Sequence, residues 1–241
     1  EINFACGVCD LCACGLSRHC PSRRVMGILN ADGSFAEYLA VPAANLHAVP
    51  ENVADEEAVF TEPLAAAFAI LEQVHLRPTD EVVVLGDGKL GLLCAQVLHL
   101  AGAHVTVVGK YQDKLDILQK LGIHTVTLTD WRPQRADIVV EATGSTGGLK
   151  LALATVRPRG TVVLKSTVAQ DHTLSLVPLV INEVTVVGSR CGSFPPALRA
   201  LTQKSVAVTP LIDKVYPLAE GIEAVTHATR PGALKILLRN R

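Results

Sequence analysis

The sequence predicts an α/β protein whose larger part is a doubly wound parallel sheet. An apolar strand at residues 82–85 runs directly into the spacing Gly-x-Gly-x-x-Gly, formed by Gly86, Gly88 and Gly91. Apolar residues at helical spacing follow the glycines, and a second strand follows at residues 104–108. Strands and helices of similar length then alternate, and parallel strands joined by helices form a sheet that is covered on both faces.

The later elements continue this alternation. They are predicted as a helix at 112–121, a strand at 137–143, a helix at 147–155 and strands at 160–166 and 183–189. Sheets of this kind bind ligands at the carboxyl ends of their strands. Thr143 and Gly144 lie just past one strand end and are candidates to line this crevice, although a plain turn explains them equally well.

The glycine spacing between a buried strand and a helix is typical of a dinucleotide-binding loop. Gly86 permits the tight turn, Gly88 lets the backbone approach a pyrophosphate, and Gly91 lets helix and strand pack closely. Lys89 and Leu90 lie between the last two glycines and belong to the predicted cofactor site. The helix N-terminus then faces the phosphates. A structural turn before an amphipathic helix is the alternative.

The end of the second strand bears on the choice between NAD and NADP. In NAD-binding units an acidic residue stands there and binds the ribose 2′-hydroxyl. This chain has Gly109, Lys110 and Tyr111 instead. A glycine removes the carboxylate that would repel a 2′-phosphate, and Lys110 offers the phosphate an ammonium. The sequence therefore favours NADP, with a solvated surface lysine as the alternative interpretation of Lys110.

Cysteines are concentrated at the start of the chain. Cys6, Cys9, Cys12 and Cys20 are separated by two, two and seven residues. Four thiolates complete the tetrahedron of a zinc ion and leave no position for substrate, so the predicted site is structural. A disulfide cluster is the alternative, but three cysteines so close together cannot all pair locally without strain. Cys14 is predicted to be a spare thiol.

Composition excludes several classes of function. The net charge is −1, aromatic residues make up 4% of the chain, and the basic residues are scattered, so we expect no nucleic-acid partner. No apolar run approaches the ~20 residues of a membrane span, and no export signal is recognisable, so we expect a cytoplasmic protein without a membrane partner. The chain opens on Glu1 and not on Met, and we expect an N-terminal part to be missing.

A four-cysteine lobe followed by a dinucleotide-binding unit resembles the zinc-type medium-chain alcohol and polyol dehydrogenases. "TEPLAAAF" is similar to the helix that joins the two domains of that family. The resemblance implies part of a β-rich GroES-like catalytic domain at residues 1–65 with the zinc lobe at 6–20, a Rossmann domain at 66–205, and a return to the catalytic domain at 206–241. It also implies an oxidoreductase that uses zinc and NADP or NAD, acts on a small alcohol, polyol or sugar, and forms a homo-dimer or tetramer.

The resemblance assigns a place at the catalytic zinc to Glu62, as a ligand or behind the zinc-bound water. From the residues alone, Thr61 and Glu62 form a helix start with Thr61 as the cap. The family's other catalytic ligands, a cysteine and a Gly-His-Glu unit, lie upstream of the lobe, and no Gly-His-Glu occurs in this chain. We therefore expect a catalytic metal site that is absent or reduced to Glu62, and a chain that is inactive by itself. The histidines interpreted as structural or surface residues are His47, His75, His99, His104, His124, His172 and His227.

Further residues are assigned from topology or resemblance. Lys235 matches a basic residue that reaches the cofactor pyrophosphate in relatives, with an exposed strand lysine as the alternative. Lys165 and Ser166 follow a strand end and are candidates to border the nicotinamide, and Arg190 is a candidate to border the loop beside it. In the complete enzyme a zinc near Glu62 would act as a Lewis acid on the substrate oxygen while hydride passes to the nicotinamide. The alternative function is a non-catalytic, zinc-stabilised nucleotide-binding protein.

Overall fold

The computed structural model describes residues 1–171 and 173–240, and it divides the chain into two compact units. Unit 1 comprises Glu1–Ala58 and Ile212–Arg241, and unit 2 is the continuous segment Val59–Leu211. The domain limits expected from the sequence, after residues 65 and 205, lie a few residues from these limits.

The strands and helices are numbered in chain order. The strands are β1 (Asn3–Phe4), β2 (Arg24–Val25), β3 (Glu81–Leu85), β4 (His104–Gly109), β5 (His124–Thr127), β6 (Ala136–Glu141), β7 (Val156–Leu164), β8 (Thr185–Gly188), β9 (Ile212–Pro217) and β10 (Lys235–Arg239). The helices are α1 (Asp10–Ala13), α2 (Asp55–Ala58), α3 (Thr61–Gln73), α4 (Lys89–Leu100), α5 (Gln112–Gln119), α6 (Gly148–Thr155), α7 (Val177–Ile181), α8 (Phe194–Thr202) and α9 (Gly221–Ala228). His172, interpreted above as a structural or surface residue, lies outside the described residues.

Unit 2 is built around a six-stranded sheet with the strand order β5-β4-β3-β6-β7-β8. All neighbouring strands run parallel. Residues 82–85 of β3 are all buried, as a central strand covered on both faces requires. Helices α4, α5 and α6 pack against the strands of this sheet. The predicted doubly wound parallel sheet is therefore confirmed.

Within the six-stranded sheet, β5 is the strand that the sequence pattern did not reveal. It has four residues, His-Thr-Val-Thr, and pairs with β4 at the edge of the sheet. None of its residues is fully buried. A short edge strand without an apolar run carries no periodic signal that distinguishes it from a loop.

The register of the sheet brings four strand ends to one edge. Leu85 of β3 lies opposite Val108 of β4 and Glu141 of β6, and Glu141 lies opposite Leu164 of β7. The chain order reverses at β3, which has β4 on one side and β6 on the other. Ligands of open α/β sheets bind at such reversal points. The glycine loop that follows Leu85 therefore stands at the centre of the binding edge.

Helix α3 begins at Thr61, but Thr61 is not its cap. The N-cap residue is Phe60, and no side-chain hydrogen bond caps the helix. The predicted capping role was wrong because Thr61 is already helical and is 6% exposed. The first half of α3 is buried at Leu64 and Ala65, and a Cβ added at Gly192 would lie 1.8 Å from the carbonyl oxygen of Ala65. The chain before α8 thus packs directly against the α3 backbone.

Unit 1 contains two small strand pairs. β1 pairs with β2 in antiparallel fashion, and β9 pairs with β10 in parallel fashion. The cysteine-rich loop runs from β1 to β2, so both of its ends are anchored to this strand pair. Among the described residues, no helix combines the length and the apolar character that crossing a bilayer requires.

Candidate functional site

The loop between β1 and β2 gathers four sulfur atoms. The Sγ atoms of Cys6, Cys9, Cys12 and Cys20 all lie within 4.8 Å of one another. The separations are 3.5 Å for Cys9 to Cys12, 3.9 Å for Cys9 to Cys20 and 4.0 Å for Cys6 to Cys12. Sulfurs bound to zinc at ~2.3 Å in a tetrahedron are about 3.8 Å apart. The cluster therefore fits a zinc ion, and Cys14 is an exposed free cysteine that does not belong to it.

The thiols of this cluster differ in acidity. The pKa of Cys6 is lowered to about 6, chiefly because the backbone N–H groups of Val8 and Cys9 donate to its sulfur. The pKa of Cys12 is raised to about 11, chiefly by desolvation and by its contact with the Cys9 thiol. Zinc binds the thiolate form, so metal binding would release protons from this loop. The N–H groups around Cys6 favour that form before any metal arrives.

The glycine loop has two glycines that the fold requires and one that it does not. A Cβ at Gly86 would lie 2.5 Å from the carbonyl oxygen of Ala142, and a Cβ at Gly91 would lie 2.1 Å from the carbonyl oxygen of Gly86. Gly86 also has a φ of +118°, which L side chains rarely adopt. Gly88 is the N-cap of α4, and a Cβ there would meet nothing within 4 Å. Gly88 therefore borders open space at a helix N-terminus, where an anionic ligand can approach the backbone.

A cavity of about 400 Å³ lies next to this loop, at the carboxyl ends of β3, β4 and β6. Its volume is within the range of small-molecule sites. The predicted cofactor residues that line it are Gly86, Gly88, Gly109, Lys110, Tyr111 and Thr143. The predicted residues of unit 2 that do not line it are Lys89, Leu90, Gly91 and Gly144. Lys235 lies in β10 of unit 1, and its contact with a cofactor stays a prediction.

The end of β4 is occupied by a carboxylate from the glycine loop. Oδ2 of Asp87 accepts hydrogen bonds from the backbone N–H groups of Lys110 at 2.6 Å and Tyr111 at 2.7 Å. A Cβ at Gly109 would lie 2.6 Å from Cβ of Asp87 and 2.8 Å from a methyl carbon of Leu115. Gly109 carries no carboxylate itself, but the strand end is not without one as the sequence suggested, because Asp87 places its carboxylate there. Asp87 was not among the predicted site residues, although its position as an acid between two loop glycines was a signal in the sequence.

The end of β6 is organised by a second buried carboxylate. Glu141 is 1% exposed, and its Oε1 accepts hydrogen bonds from the backbone N–H of Thr143 at 2.8 Å and from its hydroxyl at 2.6 Å. The backbone N–H of Gly144 donates to the hydroxyl of Ser166 at 2.8 Å. Ser166 follows β7, so this bond joins the segments after β6 and β7. The turn at Thr143 and Gly144 is thus fixed at the binding edge, and Glu141 was not among the predicted residues.

Comparison with known proteins places the chain in a family. Residues 1–51 match the family profile described as alcohol dehydrogenase GroES-like domain, and residues 90–205 match the one described as zinc-binding dehydrogenase. A sorbitol dehydrogenase of Halalkalibacterium halodurans is 31% identical over 253 residues, which cover 97% of this chain and 73% of that protein. The chain belongs to the zinc-type medium-chain alcohol and polyol dehydrogenases. As predicted, this dehydrogenase is an oxidoreductase with zinc and NAD or NADP as cofactors.

Two further relatives of the dehydrogenase agree with this assignment. A D-arabitol-phosphate dehydrogenase of Enterococcus avium is 26% identical over 257 residues, 98% of this chain and 72% of that protein. The solved structure of the alcohol dehydrogenase TADH from Thermus sp. ATN1 superimposes with a TM-score of 0.88 at 27% identity, covering 100% of this chain and 78% of that one. The fold class predicted from the sequence is therefore shared with solved members of the family.

The dehydrogenase carries Glu62 in the first turn of α3, where it is half-buried. Within residues 1–171 and 173–240, the four-cysteine cluster is the only group of three or more cysteine, histidine or acidic side chains arranged to hold a metal. Glu62 is not part of such a group. Its predicted role at a catalytic zinc stays a prediction.

Lys165, a predicted neighbour of the nicotinamide, has an ammonium that is buried and fully hydrogen-bonded. It is 7% exposed, and its ammonium donates to the carbonyl oxygens of Ala66 at 2.7 Å and Arg190 at 3.1 Å and to the hydroxyl of Ser189 at 3.1 Å. Desolvation lowers its pKa, while the nearby Cys94, Cys191 and Glu62 act in the opposite direction. All three donors of the ammonium are used inside the protein. Lys165 is therefore a buried cross-link between the ends of β7 and β8 and helix α3, and its predicted place beside the nicotinamide stays a prediction.

Proposed function

We propose that this chain carries the cofactor-binding part of a dehydrogenase that oxidises a hydroxyl group of a small alcohol, polyol or sugar. The substrate class is supported by relatives named for sorbitol and arabitol phosphate. The observation that carries the proposal is the open backbone at Gly88, placed at the start of α4 and beside the cavity of about 400 Å³. The proposed homo-dimer or tetramer rests on family resemblance alone.

The residues at the binding edge have distinct proposed tasks. The free N–H groups and positive dipole end of α4 bind the pyrophosphate, which Gly88 allows to approach closely. The turn at Thr143 and Gly144, held by Glu141 and Ser166, forms the neighbouring wall of the crevice. A nicotinamide dinucleotide bound at this edge would supply the acceptor for the hydride of the carbinol carbon. This chain's residues hold and orient the dinucleotide for that transfer.

We also propose that Cys6, Cys9, Cys12 and Cys20 hold a structural zinc. Their sulfur separations of 3.5, 3.9 and 4.0 Å suit a four-thiolate site. Such a site has no open position for water or substrate. Its task is to fix the loop between β1 and β2.

The nucleotide-binding proposal is tested by a pair of loop variants. Gly88→Ala adds a methyl group to open space, so we expect an unchanged melting temperature but at least a tenfold loss of NADH affinity, about 1.4 kcal/mol. Gly91→Ala pushes a methyl group to 2.1 Å from the carbonyl oxygen of Gly86, so we expect a lower melting temperature as well. Thermal unfolding by circular dichroism and titration of NADH fluorescence measure the two effects separately.

The NADH affinity of Gly88→Ala decides whether the glycine loop binds the pyrophosphate. Undiminished NADH binding by the folded variant would show that the loop does not hold the pyrophosphate. The expected inactivity of the chain by itself stays a prediction, and a turnover assay with added zinc, NAD and sorbitol checks it.

A further inference from the structure

We propose that Asp87 makes this protein prefer NAD over NADP, by presenting a carboxylate to the adenosine ribose. The inference rests on the proposed binding of a dinucleotide at the glycine loop, and it reverses the preference that the sequence favoured. Asp87 stands between Gly86 and Gly88, lines the cavity of about 400 Å³, and is 8% exposed.

Asp87 occupies the place beyond β4 where a strand-end acid would otherwise act. Its Oδ2 is held by the N–H groups of Lys110 at 2.6 Å and Tyr111 at 2.7 Å. A Cβ at Gly109 would lie 2.8 Å from this Oδ2. The glycine at the strand end therefore makes room for the Asp87 carboxylate, and the acid reaches the strand end from the neighbouring loop.

The Asp87 carboxylate has one oxygen, Oδ1, that is available to accept hydrogen bonds from a ligand. Among the described residues, Oδ1 of Asp87 accepts no hydrogen bond, and no cation lies within ion-pair distance of Asp87. Two N–H groups fix the orientation of the carboxylate. A fixed carboxylate with one free oxygen at a cavity is suited to accept hydrogen bonds from the adjacent hydroxyl groups of a ribose.

Asp87 suits the 2′-hydroxyl of NAD and disfavours the 2′-phosphate of NADP. Esterification of the 2′-hydroxyl removes a hydrogen-bond donor and adds a phosphate with close to two negative charges. Asp87 repels these charges, and it already occupies the two N–H groups after β4 that would otherwise serve as anion donors. A phosphate at this position would therefore face a carboxylate and find no free backbone donor at Lys110 or Tyr111.

Two lysines beside Asp87 carry positive charges that would favour binding of a 2′-phosphate. Lys110 is exposed at the cavity, and Lys114 is buried there with its Nζ 4.5 Å from the centroid of the Tyr111 ring. The Lys114 ammonium is thus held over an aromatic face, and the Lys110 side chain must give up rotamer freedom to reach a ligand. Asp87 needs no rearrangement, and we therefore expect its effect to dominate.

The test compares NADH and NADPH affinities of the full chain by fluorescence titration at fixed salt. We expect NADH to bind at least tenfold more tightly than NADPH. Asp87→Asn keeps the side-chain shape and removes the charge, so NADPH should bind at least tenfold more tightly to this variant than to the parent. Asp113→Asn, which removes an exposed acid in the first turn of α5, should leave both affinities unchanged.

A second measurement needs no variant and covers the case in which Asp87→Asn does not fold. AMP, which lacks only the 2′-phosphate of adenosine 2′,5′-bisphosphate, should displace NADH from the parent protein at a concentration at least tenfold lower than that compound does. Equal affinities, or tighter binding of the 2′-phosphorylated compounds, overturn the role of Asp87. Failure of the parent protein to bind either dinucleotide would instead overturn the proposed function.

Discussion

At the scale of single residues, the buried groups of Lys165 and Asp87 are held by backbone atoms far along the chain. Lys165 donates to the carbonyl oxygen of Ala66, 99 positions away, and Asp87 accepts from Lys110, 23 positions away. Neither partner can be read from local periodicity, because contacts between strand ends depend on the register of the whole sheet. Gly109 is a further example, because the space beside this glycine is occupied by Asp87 and not by solvent.

Lys165 is predicted to stabilise unit 2. Lys165→Met removes the donor for the carbonyl oxygens of Ala66 and Arg190, so we expect the free energy of unfolding to fall by about 1–3 kcal/mol. Urea unfolding followed by circular dichroism measures the change. Lys120→Met, at an exposed lysine after α5, is the control and should have little effect. An unchanged stability of Lys165→Met would mean that desolvation of the ammonium cancels its hydrogen bonds.

The difference in free energy of unfolding between the parent and Lys165→Met is expected to depend on pH. Burial lowers the pKa of Lys165 below 10.5, so the folded state releases its proton at lower pH than the unfolded state. The unfolded state then binds more protons between the two pKa values, and the contribution of Lys165 to stability increases as pH rises through that interval. The stability difference between the parent and Lys165→Met should therefore widen towards pH 10. A difference that narrows would contradict the lowered pKa.

At the scale of elements, the two loops of the candidate site were recognised for different reasons. The glycine loop was recognisable because a buried strand precedes it and a helix follows it, so its context was local. The cysteine loop was recognisable because its ligand spacing is short enough for a single ion. The segments that close the binding edge, from Glu141 to Ser166, carried no comparable signal, since their contacts join the ends of different strands.

The cysteine loop is predicted to bind one zinc ion per chain when the protein is purified under reducing conditions without chelator. Cys9→Ser removes a sulfur that lies 3.5 Å from Cys12 and 3.9 Å from Cys20, so we expect zinc content to fall to a small fraction of one equivalent. Cys14→Ser is the matched control, because Cys14 is exposed and outside the cluster. Elemental analysis measures both. Absence of zinc in the parent, or equal loss in the two variants, would contradict the four-cysteine site.

At the scale of the whole molecule, the central strands β3, β4 and β6 were predictable because most of their residues are buried. Continuous apolar strands such as residues 82–85 leave few other arrangements for their backbone and side chains. The edge strand β5 was missed because it is short and half-buried. The identity of unit 1 came from the spacing of its cysteines and from resemblance, since strands of two residues such as β1 and β2 have no readable period.

Unit 2 is predicted to fold and to bind NADH without unit 1. Unit 2 is one continuous segment, Val59–Leu211, which contains the entire six-stranded sheet and every residue that lines the cavity of about 400 Å³. Its core is formed by side chains such as Leu92, Val107 and Val140, each 0% exposed. A segment of this length with its own buried core is within the usual size of a domain.

We therefore expect residues 59–211, expressed alone, to unfold cooperatively and to bind NADH within about threefold of the full chain, a difference below 0.7 kcal/mol. Circular dichroism and fluorescence titration measure the two properties, and Gly88→Ala in the fragment should lower NADH affinity at least tenfold, as we expect in the full chain. A folded fragment with much weaker NADH binding would show that unit 1 contributes to the nucleotide site, whereas an unfolded fragment would show that the sheet depends on unit 1 for its stability.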